Sequence, residues 1–141
     1  MKRGLAALAT GAFALGFAEF VMMGILPVVA SGLNVTEAWA GNFISLYAIG
    51  VCAGAVILVL GRRVPPRTLL VALMVLCLVG NVLAAISGDA NMLLVARFIS
   101  GMPHGAYFGT ATLAAKMIAE PGREGRAVAG MVLGQTLANT L

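Results

Sequence analysis

Two ionisable side chains, Glu19 and Arg97, stand alone inside long apolar stretches. Charges held out of water are costly and usually face a partner or a polar cavity. A glutamate in such a place can carry a proton, because desolvation favours its neutral form and a nearby arginine its charged form. His104 lies seven residues beyond Arg97, on a similar helical face. It could titrate near neutral pH, and a structural hydrogen bond to a neighbouring helix explains it equally well. Further polar groups interrupt the apolar runs at Asn42, Ser45, Tyr47, Asn81, Tyr107, Gln135, Thr136 and Asn139. Asn42, Tyr47, His104, Tyr107 and Gln135 are the candidates for a solute path. Others among these groups form interhelical hydrogen bonds, worth about 0.6–2 kcal/mol each. No nucleophile–base pair, metal-ligand cluster or phosphate-binding loop is visible, so neither an enzyme nor a metal or cofactor site is expected.

The elements that must position these groups follow from composition. Of 141 residues, 61% are hydrophobic and 10% are charged. An ordinary soluble domain carries about 25% charged residues. So few charges cannot cover a soluble domain, and disordered tails, nucleic-acid binders and disulfide-stapled domains are excluded with it. Cys52 and Cys77 both fall inside apolar runs and suggest no disulfide framework. Apolar runs cover about 5–30, 38–60, 68–86 and 92–118, and a fifth covers 127–141. Spanning a bilayer takes about 20 residues at about 1.5 Å each. Open strands cannot satisfy their backbone in lipid, so these runs read as helices. The expectation is an all-α, polytopic transmembrane bundle of about four full spans and the start of a fifth. A cleaved signal peptide is not expected, because the first run is too long for one and Glu19 interrupts it.

The links are short and rich in breakers, with Pro65 and Pro66 in the second and Pro121, Gly122 and Gly125 in the fourth. Lys2, Arg3, Arg62, Arg63, Arg67, Lys116, Arg123 and Arg126 all fall at one side of the expected bundle. The first and third links hold only Glu37 and Asp89. The positive-inside rule makes the basic side cytoplasmic, with the N-terminus inside. Glu19 then lies about 21 Å from the inner face and Arg97 about 9 Å from the outer face. In a hydrocarbon core of about 30 Å these depths nearly coincide, so the two side chains are expected to approach or to share one cavity. Gly101, Gly105 and Gly109 form a small-residue stripe on the fourth run, and Gly130 and Gly134 another on the fifth; both read first as packing seams. Pro103 should bend the fourth helix.

Four stretches carry a family resemblance. The first run reads Gly16-Phe-Ala-Glu19-Phe-Val-Met-Met-Gly24-Ile-Leu-Pro27. The stretch from the end of the second run into the link after it holds Gly54, Gly61, Arg62 and Arg63. The fourth run reads Arg97-Phe-Ile-Ser-Gly101-Met-Pro103-His104-Gly105-Ala-Tyr-Phe-Gly109. The fifth opens Ala129-Gly130-Met-Val-Leu-Gly134-Gln-Thr-Leu-Ala-Asn139. Together they resemble the N-terminal part of a major facilitator superfamily transporter. The branch they look most like is the drug:proton antiporters, and within it the bacterial sugar- and arabinose-efflux-like permeases.

The resemblance implies that Glu19 and Arg97 couple proton movement to transport. It implies that Gly54, Gly61, Arg62 and Arg63 belong to a cytoplasmic-loop motif, and that Gly130 and Gly134 belong to a gating motif. One departure stands out: the acid expected four positions after Gly54 is Leu58. The family fold has two six-helix halves built from inverted three-helix repeats. Residues 1–141 would form part of the first half, and the missing C-terminal portion would be a necessary partner. The implied function is proton-coupled efflux of a sugar-like or drug-like solute by alternating access, from a multi-pass position in a bacterial inner membrane. Lipid, solute and protons are the expected partners, and nucleic acid is not. Two alternatives compete: a small multidrug-resistance-like oligomeric transporter, and a non-transporting scaffold or remnant.

Overall fold

The computed structural model describes residues 2–140. Five α-helices fill them: α1 (Lys2–Gly32), α2 (Glu37–Leu60), α3 (Pro66–Ala85), α4 (Ala90–Ile118) and α5 (Glu124–Asn139). A short 3₁₀ turn, Gly61–Arg63, joins α2 to α3. No strand occurs among the described residues. The fold is the expected all-α bundle.

Local chemistry sets the helix ends. The Thr36 hydroxyl accepts the Trp39 amide at 3.1 Å and opens α2. The Asp89 carboxylate accepts the Met92 amide at 2.9 Å and opens α4. Pro66 starts α3, where its missing N–H and fixed φ cost nothing. The α4–α5 turn needs a left-handed residue and has Gly122, with φ +82°. Next to it, the Glu124 carboxylate accepts the Gly122 amide at 3.1 Å. Backbone amides, its own first and then that of Gly122, hold the Glu124 carboxyl below its usual range.

Among the described residues, three helices are long and apolar enough to cross a membrane: α1, α2 with the turn that follows it, and α3. The sequence reading counts four full spans. With 29 residues, α4 has the length, but it also carries Arg97, Ser100, His104 and Thr110. Position explains the difference. α4 is the central helix: α2 and α3 pack along it, and α1 and α5 touch it. A helix enclosed by other helices has little need of lipid-facing apolar side chains. The outer helices show the opposite pattern, with Val56, Val59 and Leu60 on α2 and Val71, Val75 and Leu78 on α3 exposed.

Close approach is the rule at the seams. Gly50 and Gly54 of α2 lie against the Phe98 and Met102 carbonyls of α4. Gly101 and Gly105 of α4 lie against the Tyr47 and Val51 carbonyls of α2. Each helix thus offers glycines four residues apart to the backbone of the other. α1 and α5 pack similarly, with Gly134 against the Ala9 carbonyl. Gly109 receives the Leu58 side chain, and Gly61 the Leu69 side chain. Gly130 differs, since a Cβ there would meet nothing within 4 Å. Pro103 sits inside α4 and is buried, and α4 runs unbroken through it.

Candidate transport site

Three helices bring four polar side chains together in the bundle. Glu19 comes from α1, Tyr47 from α2, and Arg97 and His104 from α4. The seven-residue spacing of Arg97 and His104 is two helical turns, which puts both on the face that meets α1 and α2. The glycine seam between α2 and α4 is what lets Tyr47 reach that face, since Gly101 lies directly against the Tyr47 carbonyl.

Arg97 is 2% exposed. Its Nη1 donates to the Ala18 carbonyl at 2.8 Å, and its Nε to the Phe43 carbonyl at 3.4 Å. Its Cζ stands 4.3 Å from the centroid of the Tyr47 ring, a cation–π arrangement. Nη2 is buried and has no hydrogen-bond partner among the described residues. Glu19 points its Oε2 to within 3.8 Å of His104 Nδ1, and its side chain is 28% exposed. The same Nδ1 lies 3.1 Å from the Tyr47 hydroxyl. The Phe108 ring lies 5.1 Å from the imidazole.

Glu19 and Arg97 therefore belong to one cluster without pairing directly. Arg97 holds the peptide next to Glu19, and the partner of Glu19 within 4 Å is His104. Shared depth follows from helix length. The choice of partner does not, because it depends on how the helices rotate about their axes. Chemically, the cluster offers a partly accessible carboxylate, an imidazole beside it, and a fixed positive charge behind both.

The other solute-path candidates separate. Tyr107 is buried, and its hydroxyl donates to the Leu8 carbonyl at 2.8 Å, fastening α4 to α1. Its ring fills the space that Gly11 leaves open. Asn42 is exposed and donates to the Trp39 carbonyl of its own helix at 2.8 Å. Gln135 of α5 packs its side chain against Gly16 of α1. Sequence reasoning missed the carbonyls of Leu15, Ala18 and Phe43, and the Phe108 ring. Backbone acceptors leave no mark in a sequence; Phe108, one turn after His104, was visible by its spacing.

At the basic end, Lys2, Glu120, Arg123 and Arg126 line a cleft of about 300 Å³. Arg123 donates to Glu120 there at 2.8 Å. Arg62 and Arg63 are exposed in the turn after α2, as cations at a membrane surface should be. Leu58, where the resemblance leads one to expect an acid, packs on Gly109 instead.

Residues 8–141 match the sequence pattern described as the Major Facilitator Superfamily. The chain is 42% identical over its whole length to "Putative transporter AraJ" of Escherichia coli (strain K12), of which it covers 36%. It is 43% identical to "Inner membrane transport protein YdhP" of the same organism, over 96% of this chain and 35% of that protein. A more distant relative, at 28% identity, is "Probable sugar efflux transporter" of Helicobacter acinonychis, matched over 92% of this chain and 34% of that one. The chain thus spans about a third of the length of the curated relatives it matches. No solved structure matches it.

Proposed function

Because the chain belongs to the major facilitator superfamily, we propose that it serves proton-coupled efflux of a small solute by alternating access. Glu19 binds the proton, with His104 as its immediate neighbour. Arg97 supplies the fixed positive charge that keeps an empty Glu19 carboxylate tolerable inside the bundle. The cargo is a sugar-like or drug-like molecule; one relative named for sugar efflux and one named for chloramphenicol resistance, each 28% identical, support one class each. Residues 1–141 form part of the first six-helix half, and the solute path needs helices beyond them. The membrane is a bacterial inner membrane, with the basic end of the bundle in the cytoplasm.

The observation that carries this reading is the cluster of Glu19, His104, Tyr47 and Arg97. A static ion pair would explain two opposite charges at one depth. It does not explain a carboxylate that bypasses the arginine and stays partly accessible beside a histidine. The family match leaves no ground for the small multidrug-resistance-like alternative.

The test uses the full-length gene product in proteoliposomes with an imposed pH gradient. Labelled pentoses, hexoses and amphipathic antibiotics serve as trial solutes. A proton gradient should accelerate counterflow of at least one of them, and Glu19→Gln should abolish that acceleration. Gradient-driven flux that survives in Glu19→Gln would remove Glu19 from the role. A wild-type protein that moves none of these solutes would favour the scaffold reading.

A further inference from the structure

Tyr47 is 2% exposed, and its hydroxyl oxygen stands between two groups. The Leu15 carbonyl oxygen lies 3.4 Å away and His104 Nδ1 lies 3.1 Å away. A tyrosine has one hydroxyl hydrogen, so it can satisfy one of them at a time. If the hydrogen points to Leu15, the phenolic oxygen can accept from a protonated Nδ1. If Nδ1 is bare, the hydrogen can turn to it. Neither arrangement leaves a buried donor without an acceptor, which is the condition for burying a titrating group cheaply.

We propose that Tyr47 is a positioning residue whose hydroxyl changes acceptor as a proton passes between Glu19 and His104. This rests on the proton-coupled reading given above. The step is balanced. Neutral His104 carries its hydrogen on Nε2, and its Nδ1 lone pair accepts the Tyr47 hydroxyl hydrogen until that hydrogen turns away. The Glu19 carboxyl gives its proton to that lone pair, leaving a carboxylate and an imidazolium. Tyr47 keeps its own hydrogen throughout and swings it from Nδ1 to the Leu15 carbonyl.

The swing has a mechanical consequence. In an α-helix, the carbonyl of residue 15 is the acceptor for the amide of residue 19. The Tyr47 hydroxyl therefore shares, as a second donor, the carbonyl that holds the turn bearing Glu19. Arg97 grips the same turn through the Ala18 carbonyl at 2.8 Å. Arg97 also lies over the Tyr47 ring, which holds the ring plane while the hydroxyl stays free to rotate. Proton occupancy at His104 is thereby linked to the backbone of α1.

The other ionisable groups around the site are few. α1 contributes Glu19, and α4 contributes Arg97 with His104. α3 contributes Cys77, which accepts from Asn81 at 3.4 Å. α2 adds only the exposed Cys52 beyond Tyr47 and the Glu37 at its start. α5 has no ionisable side chain between Arg126 and Asn139.

The test is the pH profile of solute efflux by the full-length protein in proteoliposomes, for wild type, Tyr47→Phe and His104→Asn. Phenylalanine keeps the ring under Arg97 and removes only the hydroxyl. The imidazolium then loses an acceptor, and bonds to charged groups are worth more than bonds to neutral ones. The profile of Tyr47→Phe should move to lower pH by about one unit. Combining it with His104→Asn should add no further shift, because the asparagine cannot take the proton. If Tyr47→Phe does not accumulate as folded protein, fluorotyrosine at position 47, which keeps the ring and makes the hydroxyl a poorer acceptor, should move the profile the same way, and an unmoved profile overturns the inference. A uniform fall in rate with an unmoved profile marks Tyr47 as merely structural and overturns the inference. A wild-type protein without proton coupling overturns the function proposed above instead, so the two failures are distinguishable.

Discussion

A guanidinium enclosed by helices must find acceptors, and Arg97 finds them in the backbone. Its partners are the carbonyls of Ala18 and Phe43, on two different helices. The guanidinium reaches them from two separate nitrogens, Nε and Nη1, held in one rigid plane, whereas the three donors of an ammonium radiate from a single atom at the end of a flexible stem. Arg97→Lys should therefore lower the stability of the folded protein by about 2 kcal/mol, since bonds to charged groups contribute about 1.5–3 kcal/mol each. The denaturation midpoint in detergent is the measurement. An unchanged midpoint would mean that the charge alone matters at this position. Glu19 and His104 differ from Arg97 in kind. Their contact is long, at 3.8 Å, and Glu19 is the more accessible of the two. A loose contact at an accessible carboxylate is what a proton carrier needs, and Arg97 is held too firmly for that task.

At the scale of helices, the seams are set by glycine and by the backbone opposite it. A side chain at Gly54 or Gly105 would run into the Met102 or Val51 carbonyl, and neither can move without shifting its helix. Gly54→Ala and Gly105→Ala should each cost about 1–3 kcal/mol, as overpacking does. The same change at Gly130 meets open space, and it should stay within about 0.5 kcal/mol. Folded yield and detergent stability of the three variants check the ranking. Equal losses at all three positions would show that glycine content matters there, and not the seam. The resemblance groups Gly130 with Gly134, yet only Gly134 is pressed against α1. Equal spacing in a motif does not give two glycines equal surroundings.

For the molecule as a whole, charge and hydropathy agree on one arrangement. Lys2, Arg123 and Arg126 line one cleft at one end of the bundle, and Gly4 shares a groove with Arg67 and Ile118. The first and last turns of these helices thus gather the cations at a single end. We propose, on the positive-inside rule, that this end faces the cytoplasm. A cysteine placed at Gly125, in a background lacking Cys52 and Cys77, should resist a membrane-impermeant maleimide on intact cells. One placed at Ser87 should react. Labelling of the Gly125 position from outside would reverse the orientation.

Composition and spacing alone determined the class, the helices and the identity of the unusual charges. They could do so because lipid permits little besides helices, and because one charge in a long apolar run is conspicuous. The helices do extend past the apolar runs, as at Lys2–Gly32 against about 5–30, because a helix continues beyond the lipid that hydropathy senses. The tertiary structure decided the pairings. Helical spacing says which residues share a face, but not which way that face turns in the bundle. That rotation gave Glu19 to His104 rather than to Arg97, and Arg97 to the Ala18 and Phe43 carbonyls. It removed Tyr107 to a separate bond with Leu8 and left Asn42 on the surface. Carbonyl acceptors are common to every residue type, so only packing selects which of them a buried side chain meets.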